Sequence, residues 1–258
     1  IGTEKLLKLK EKWFSAPGSP PLSIPIQFSH QETNYLAKKK QLNLCIDPDW
    51  MPLEKIENGK HVGISADYFK FFRENIGIPI TLKNTKTWEQ TLQLTKNRDC
   101  DLISLAMPTP DRIKYLNFSD TLLETPVVLA TKPHITFIND LSQIKNKKIG
   151  IIKGYAFNEI IRRQHPNIEV VDVNSSQQGL QKVVNGELFG YIDALATIGY
   201  MFQNKFVGEL KISGKFDNKW EMSVATRNDE PLLLDILNKL IRQIPKSQHQ
   251  KIFNNYVA

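Results

Sequence analysis

The stretch Ile103 to Asp120, ISLAMPTPDRIKYLNFSD, sets one arginine just past a turn. An apolar run, Leu102 to Met107, reads as a buried strand. Pro108 and Pro110 stop it, because proline fixes φ and has no N–H for a ladder. Arg112 follows Asp111 directly. A guanidinium held there is either a surface charge paired with Asp111 or Asp120, or a rigid donor fork waiting for an anion such as a carboxylate. The segment KGYA, Lys153 to Ala156, opens a helix whose first N–H groups can hold negative charge. Gly154 there also reads simply as a turn glycine.

Other chemistries lack their residues. No nucleophile elbow, HExxH helix, P-loop or paired metal ligands occur, so no catalytic group, metal or cofactor is expected. The histidines His30, His61, His134, His165 and His249 are spread through the chain without a constellation. Cys45 and Cys100 read as two buried free thiols, with a disulfide as the alternative in an oxidising compartment. The net charge of +7 raises nucleic acid as a partner, but the basic residues are scattered and no RNA- or DNA-binding motif accompanies them. A solvated basic surface is the reading, one that also suits work near an anionic membrane. No apolar run approaches the roughly 20 residues of a membrane helix, and the N-terminus lacks the pattern of a signal peptide. The chain opens without Met and reads as a mature form or an excised piece.

The elements that must position Arg112 alternate. Residues 1–40 form a lead-in: an amphipathic helix from Glu4 to Phe14, the linker SAPGSPPLSIP, and a helix over residues 29–39 with Ser29 and Glu32 as a capping box. LNLCID, ITLKN and CDLISLAM read as strands. The helices between them are ISADYFKFFRENIG, with Ser65 as cap and Gly77 closing it, and TWEQTLQLTKN. The βαβαβ order predicts a parallel sheet with helices on both faces. PVVLATK (Pro126 to Lys132) is an extended strand, and a second alternation follows it: KIGIIKG, YAFNEIIRRQ, IEVVDV, SQQGLQKVVNG, FGYIDAL and TIGYMFQNKF. EMSVATR is another extended strand, and EPLLLDILNKLIRQIP a closing helix. The expectation is an α/β, two-lobed clamshell. Each lobe is a mainly parallel sheet flanked by helices, and two hinge strands join the lobes. Lobe 1 is residues 41–127 plus 224–258, and lobe 2 is residues 128–223. Ligands in such folds sit in the crevice at the carboxyl ends of the strands.

CIDPDWMPLE, GKHVGISADYF, DCDLISLAMPTPDRIKYLNFSD, DLSQIKNKKIGIIKGYA, NSSQQGLQKVVNGELFGYIDAL and WEMSVATRND, in this order, resemble the family 3 periplasmic solute-binding proteins, or Venus flytrap modules. The resemblance runs from about Asn43 to Ala258. SHQETNYLAKKKQLNLCIDPDWMPLE, TPDRIKYLNFSD, IGIIKGYAFNEIIRRQHPNIEVV and ALATIGYMFQ look more narrowly like the periplasmic sensor modules of bacterial signalling receptors. It implies a small-molecule ligand, an upstream flytrap module whose last helix is EKLLKLKEKWF, and downstream membrane and output domains in a longer chain. A transporter's free binding protein and a periplasmic dehydratase are the alternatives, the latter with Glu221 or Asp193 as general acid.

The resemblance also implies roles. Arg112 matches the arginine that grips a ligand carboxylate in amino-acid-binding members, with Thr109 offering a hydroxyl or N–H to the same anion. Trp50 stands where the family sets an aromatic ring against the ligand. Asp47 reads as a turn residue, and Asp49 as the acid facing the cleft. Lys153 and Tyr155 reach in from the second lobe. Two positions depart from the pattern. Met107 replaces a frequent serine, and Ala194 occupies the place of the aspartate that binds the ligand ammonium. Asp193, one step earlier, is expected to face away unless the strand end bends, since adjacent strand residues point to opposite faces.

Overall fold

The computed structural model of the chain describes residues 26–256, so the expected helix Glu4–Phe14 and the linker after it lie outside the described residues. Helix α1 (His30–Lys39) leads into the first lobe, which opens with β1 (Leu42–Cys45), β2 (Asp49–Trp50), β3 (Glu54–Glu57) and β4 (Lys60–Val62). It continues through α2 (Ile64–Ile76), β5 (Ile80–Leu82), α3 (Trp88–Lys96) and β6 (Leu102–Ala106). A 3-10 turn, Arg112–Lys114, leads into the long β7 (Leu116–Thr131). The second lobe holds β8 (Lys148–Ile152), α4 (Ala156–Gln164), β9 (Glu169–Val173), α5 (Ser176–Val184), β10 (Gly190–Ala194) and α6 (Leu195–Asn204). The chain then returns through β11 (Lys211–Arg227) and ends in α7 (Pro231–Arg242) and α8 (Lys246–Asn254).

One sheet runs through both lobes in the order β5-β1-β6-β11-β7-β10-β8-β9. At one end β5, β1 and β6 are parallel, and at the other β10, β8 and β9 are parallel. The two hinge strands β7 and β11 pair antiparallel in the middle, from Lys211↔Thr131 to Arg227↔Leu116. PVVLATK and EMSVATR are thus the ends of two strands of 16 and 17 residues. Pro126 falls at an irregularity in that pairing, between Phe216 and Lys219, where a missing N–H costs no ladder bond.

Local chemistry sets the helix ends. The Ser29 hydroxyl accepts from Glu32 N at 3.2 Å, and Glu32 Oε2 accepts from Ser29 N at 2.6 Å, closing the expected capping box. Lys39 ties α1 to lobe 1 through Asp101 and Glu230, both at 2.7 Å. Helix α2 buries Tyr68, Phe69, Phe72 and Ile76, each contributing about 1.5–3 kcal/mol by burial. Ser65 does not cap it. The N-cap is Gly63 at φ +105°, where a Cβ would stand 2.8 Å from the Leu53 carbonyl oxygen, and Ser65 lies inside the first turn. The β2–β4 meander was not expected from sequence.

The cysteines are corrected too. Parallel pairing of β1 with β6 brings Cys45 and Cys100 to a Cα separation of 5.8 Å, and they form a disulfide.

Candidate ligand site between the lobes

The carboxyl ends of β1 and β6 and the start of α4 meet over the hinge, and rings close the space between them. Trp50, Trp88, Tyr155, Phe157 and Trp220 pack with centroids 5.4–6.2 Å apart. They leave a cavity of about 30 Å³, which Asp47, Met107 and Arg112 also line.

Arg112 reaches this cavity from the 3-10 turn after Pro108 and Pro110, a turn closed by Arg112 N donating to Thr109 Oγ1 at 3.3 Å. Its side chain is only 3% exposed. The two terminal nitrogens donate to the Met107 carbonyl at 2.8 Å and the Gly154 carbonyl at 2.7 Å. The Trp88 ring covers the guanidinium at 5.4 Å. No carboxylate of the described residues forms an ion pair with Arg112, and burial presses its pKa below the ordinary value. Of its two sequence readings, the surface charge is excluded.

Among the described residues, four side-chain hydrogen bonds cross the cleft between the lobes. Trp50 Nε1 donates to Asp193 Oδ1 at 3.0 Å, Tyr155 Oη to Asp47 Oδ2 at 2.7 Å, and Trp88 Nε1 and Arg112 both to the Gly154 carbonyl, the former at 3.1 Å. Gly154 stands at φ +80°, a conformation glycine adopts without strain, and this turns its carbonyl toward lobe 1. At the rim Lys153 pairs with Glu89 at 2.8 Å.

The acids of the cleft sort differently from the sequence expectation. Asp47 is buried, Asp49 is exposed, and the Asp49 N–H donates to Asp47 Oδ1 at 3.0 Å. Asp47 lies just past the carboxyl end of the parallel strand β1, at the crevice, whereas Asp49 turns outward on β2. Burial pushes the Asp47 carboxyl up to about 7. Asp193 does not face away. It shares a face with Tyr191, and that face meets Trp50 because β10 pairs with hinge strand β7 at Val128. Burial raises its pKa despite four donors around it. Glu221 is exposed, opposite Glu124 on the outer face of the hinge, while its neighbour Trp220 points into the cleft.

Beneath Asp47 lies a buried cluster that sequence gave no sign of. Glu54 Oε1 accepts the Asp47 N–H at 2.8 Å, and Oε2 accepts from Ser65 at 2.7 Å and from Ser104. His61 Nε2 meets Ser65 Oγ at 2.6 Å. Burial raises Glu54 to about 8 and lowers His61 to about 3, so the cluster holds the Asp47 loop with little net charge.

Of the residues singled out by sequence, Trp50, Met107, Arg112 and Tyr155 line the cavity, and Asp193 stands behind Trp50. Thr109 supports the Arg112 turn; Asp49 and Lys153 stay outside. Trp88, Phe157 and Trp220 were missed. The alternation Lys219, Trp220, Glu221, Met222, exposed then buried in turn, was the available signal for Trp220.

A profile of the bacterial extracellular solute-binding proteins, family 3, matches residues 42–258. The chain belongs to that family. It is 24% identical over 234 residues to the virulence sensor protein BvgS of Bordetella pertussis, covering 89% of this chain and 19% of the sensor. It therefore spans about a fifth of that relative. It is 25% identical to the ABC transporter arginine-binding protein 1 of Escherichia coli, over 84% of this chain and 90% of that protein. Among solved structures, the periplasmic VFT2 domain of Bordetella pertussis BvgS superposes with a TM-score of 0.80 at 18% identity, covering 89% of this chain and 99% of that domain. The family and the fold are those of two-lobed flytrap binding proteins.

Proposed function

We propose that the chain is the ligand-binding sensor module of a transmembrane signalling receptor, set in the periplasm, and that it holds a small carboxylate-bearing molecule between its lobes. Arg112 carries the reading. A guanidinium 3% exposed, facing a cleft and without an ion pair among the described residues, is an uncompensated buried cation. A ligand carboxylate supplies the counter-charge and fits the donor fork. The start of α4 adds to this, since Ala156 and Phe157 in its first turn line the same cavity. Trp50 and Tyr155 close over the ligand, Met107 and Thr109 set the position of Arg112, Asp193 fixes Trp50, Lys153 guards the rim, and Asp49 stays clear.

Lobe 1 (41–127 plus 224–258) and lobe 2 (128–223) swing about β7 and β11, and a ligand shifts that equilibrium by its preference for the closed form. The disulfide fits an oxidising compartment such as the periplasm. The likeness to BvgS over nearly the whole of this chain supports the receptor setting, with an upstream flytrap and downstream membrane and output domains. The match to nearly all of an arginine-binding transport protein favours a second reading, a soluble binding protein feeding a transporter. The test of the site is the melting temperature against amino acids, amine-free carboxylates and carboxylate-free amines. A ligand at about 100 times its Kd adds roughly 2.7 kcal/mol to the folded state. Shifts confined to carboxylate-bearing compounds support the reading, and a shift by simple amines alone overturns it.

A further inference from the structure

Donors and acceptors in the cleft are unevenly matched. Asp193 accepts from Trp50 Nε1 at 3.0 Å, Ala194 N at 2.7 Å, Ser176 Oγ at 2.8 Å and Tyr191 Oη at 2.6 Å. A carboxylate offers about four lone-pair sites, so the chain itself saturates this one. Asp47 takes the Tyr155 hydroxyl and the Asp49 N–H. Ala194 offers no side-chain acceptor. The donors stand the other way. Trp220 Nε1 is buried on a side chain 2% exposed, in the ring cluster of the cavity, and has no acceptor among the described residues. Arg112 spends two hydrogen bonds on carbonyls, out of about five N–H groups.

The surplus is of N–H groups and positive charge, set among aromatic faces. An α-amino acid brings an ammonium for which Asp193 has no lone pair left, while Asp47 already holds two donors, so seating it there competes with bonds the cleft already makes. A carboxylate without an amine brings acceptors alone. On the reading that the cleft is the ligand site, we infer that its ligand is an amine-free carboxylate with a flat apolar or aromatic body, its anion on Arg112 and an acceptor on Trp220 Nε1. The rings now fill all but about 30 Å³, so the ligand's body takes its place between them as the lobes part and reclose. Trp220 lies on a hinge strand, which sets this contact at the pivot of that motion.

Calorimetric titration of the full chain with benzoate, cyclohexanecarboxylate, phenylalanine and arginine tests this. The expected result is that an amine-free acid binds at least about tenfold tighter than either amino acid. Trp220→Phe, which keeps a ring and removes the N–H, then weakens that acid about tenfold in a variant that keeps the wild-type far-UV spectrum. Phenylalanine or arginine binding as tightly as the amine-free acids overturns the inference and leaves the cleft as a carboxylate site. Binding by none of the four overturns both. Unchanged affinity in Trp220→Phe removes the Trp220 contact.

Discussion

Replacing Tyr155 by phenylalanine removes one hydroxyl and one bond between the lobes, and the effect on closure can be worked from the site. Tyr155 Oη lies 2.7 Å from Asp47 Oδ2, and both side chains are buried. Above about pH 8, where Asp47 with its raised pKa of about 7 is ionised, a hydrogen bond to a charged group contributes about 1.5–3 kcal/mol, or roughly 10–150-fold in an equilibrium constant. The loss falls on the closed form alone, since in the open form water reaches Asp47. The assay is hydrogen exchange at the Trp50 indole, whose Nε1–H bonds to Asp193 across the cleft. Exchange there needs opening, so its rate follows the opening equilibrium even where the closed form dominates. Tyr155→Phe is expected to speed exchange at Trp50 and Trp88 by about 10–150-fold, with amides in the β1 core unchanged. A change below about threefold would refute the claim that the chain's own cross-lobe bonds hold the cleft shut.

The disulfide closes a separation of 55 residues, for which chain entropy gives about 4 kcal/mol; urea unfolding of the reduced protein should show a loss of that order. Asp47, raised by burial to about 7, binds its proton more tightly folded than unfolded, where its pKa is about 3.9. Its contribution is therefore fully present below about pH 4 and lost as pH rises through about 7. Asp47→Asn should gain stability relative to wild type between pH 5 and 8 in paired urea titrations, and a constant difference would contradict the burial. In α5, a Cβ on Gly179 would stand 2.3 Å from the Tyr191 ring. Gly179→Ala should cost about 1–3 kcal/mol in urea unfolding and, by displacing Tyr191 from Asp193, speed exchange at Trp50.

The repeating βα pattern was legible because its punctuation is chemical. The Ser29 and Glu32 box, Gly77 after α2 and the prolines after β6 each mark an end that the structure keeps. The β2–β4 meander was not, since strands of two to four residues carry too little alternation to be seen. Cys45 and Cys100 depend on the register of two strands far apart in sequence, and no local signal gives that register. Arg112 was legible as a group without an obvious partner. Which acid faces the cleft was not: Asp47 and Asp49 differ only in where the chain turns after β1, and the buried Glu54 that holds that turn is a tertiary contact. Trp88, Phe157 and Trp220 were not singled out, because an aromatic side chain signals burial and not what it is buried against.

The account rests on Arg112 as the group that receives a ligand anion. The direct measurement is calorimetric titration of wild type and Arg112→Gln with whichever of benzoate, phenylalanine or arginine binds the wild type most tightly. Truncating one partner of a buried charge pair costs about 2–5 kcal/mol, so affinity should fall by at least about 30-fold in a variant that keeps the wild-type far-UV spectrum. Equal affinity in a folded Arg112→Gln would contradict the account.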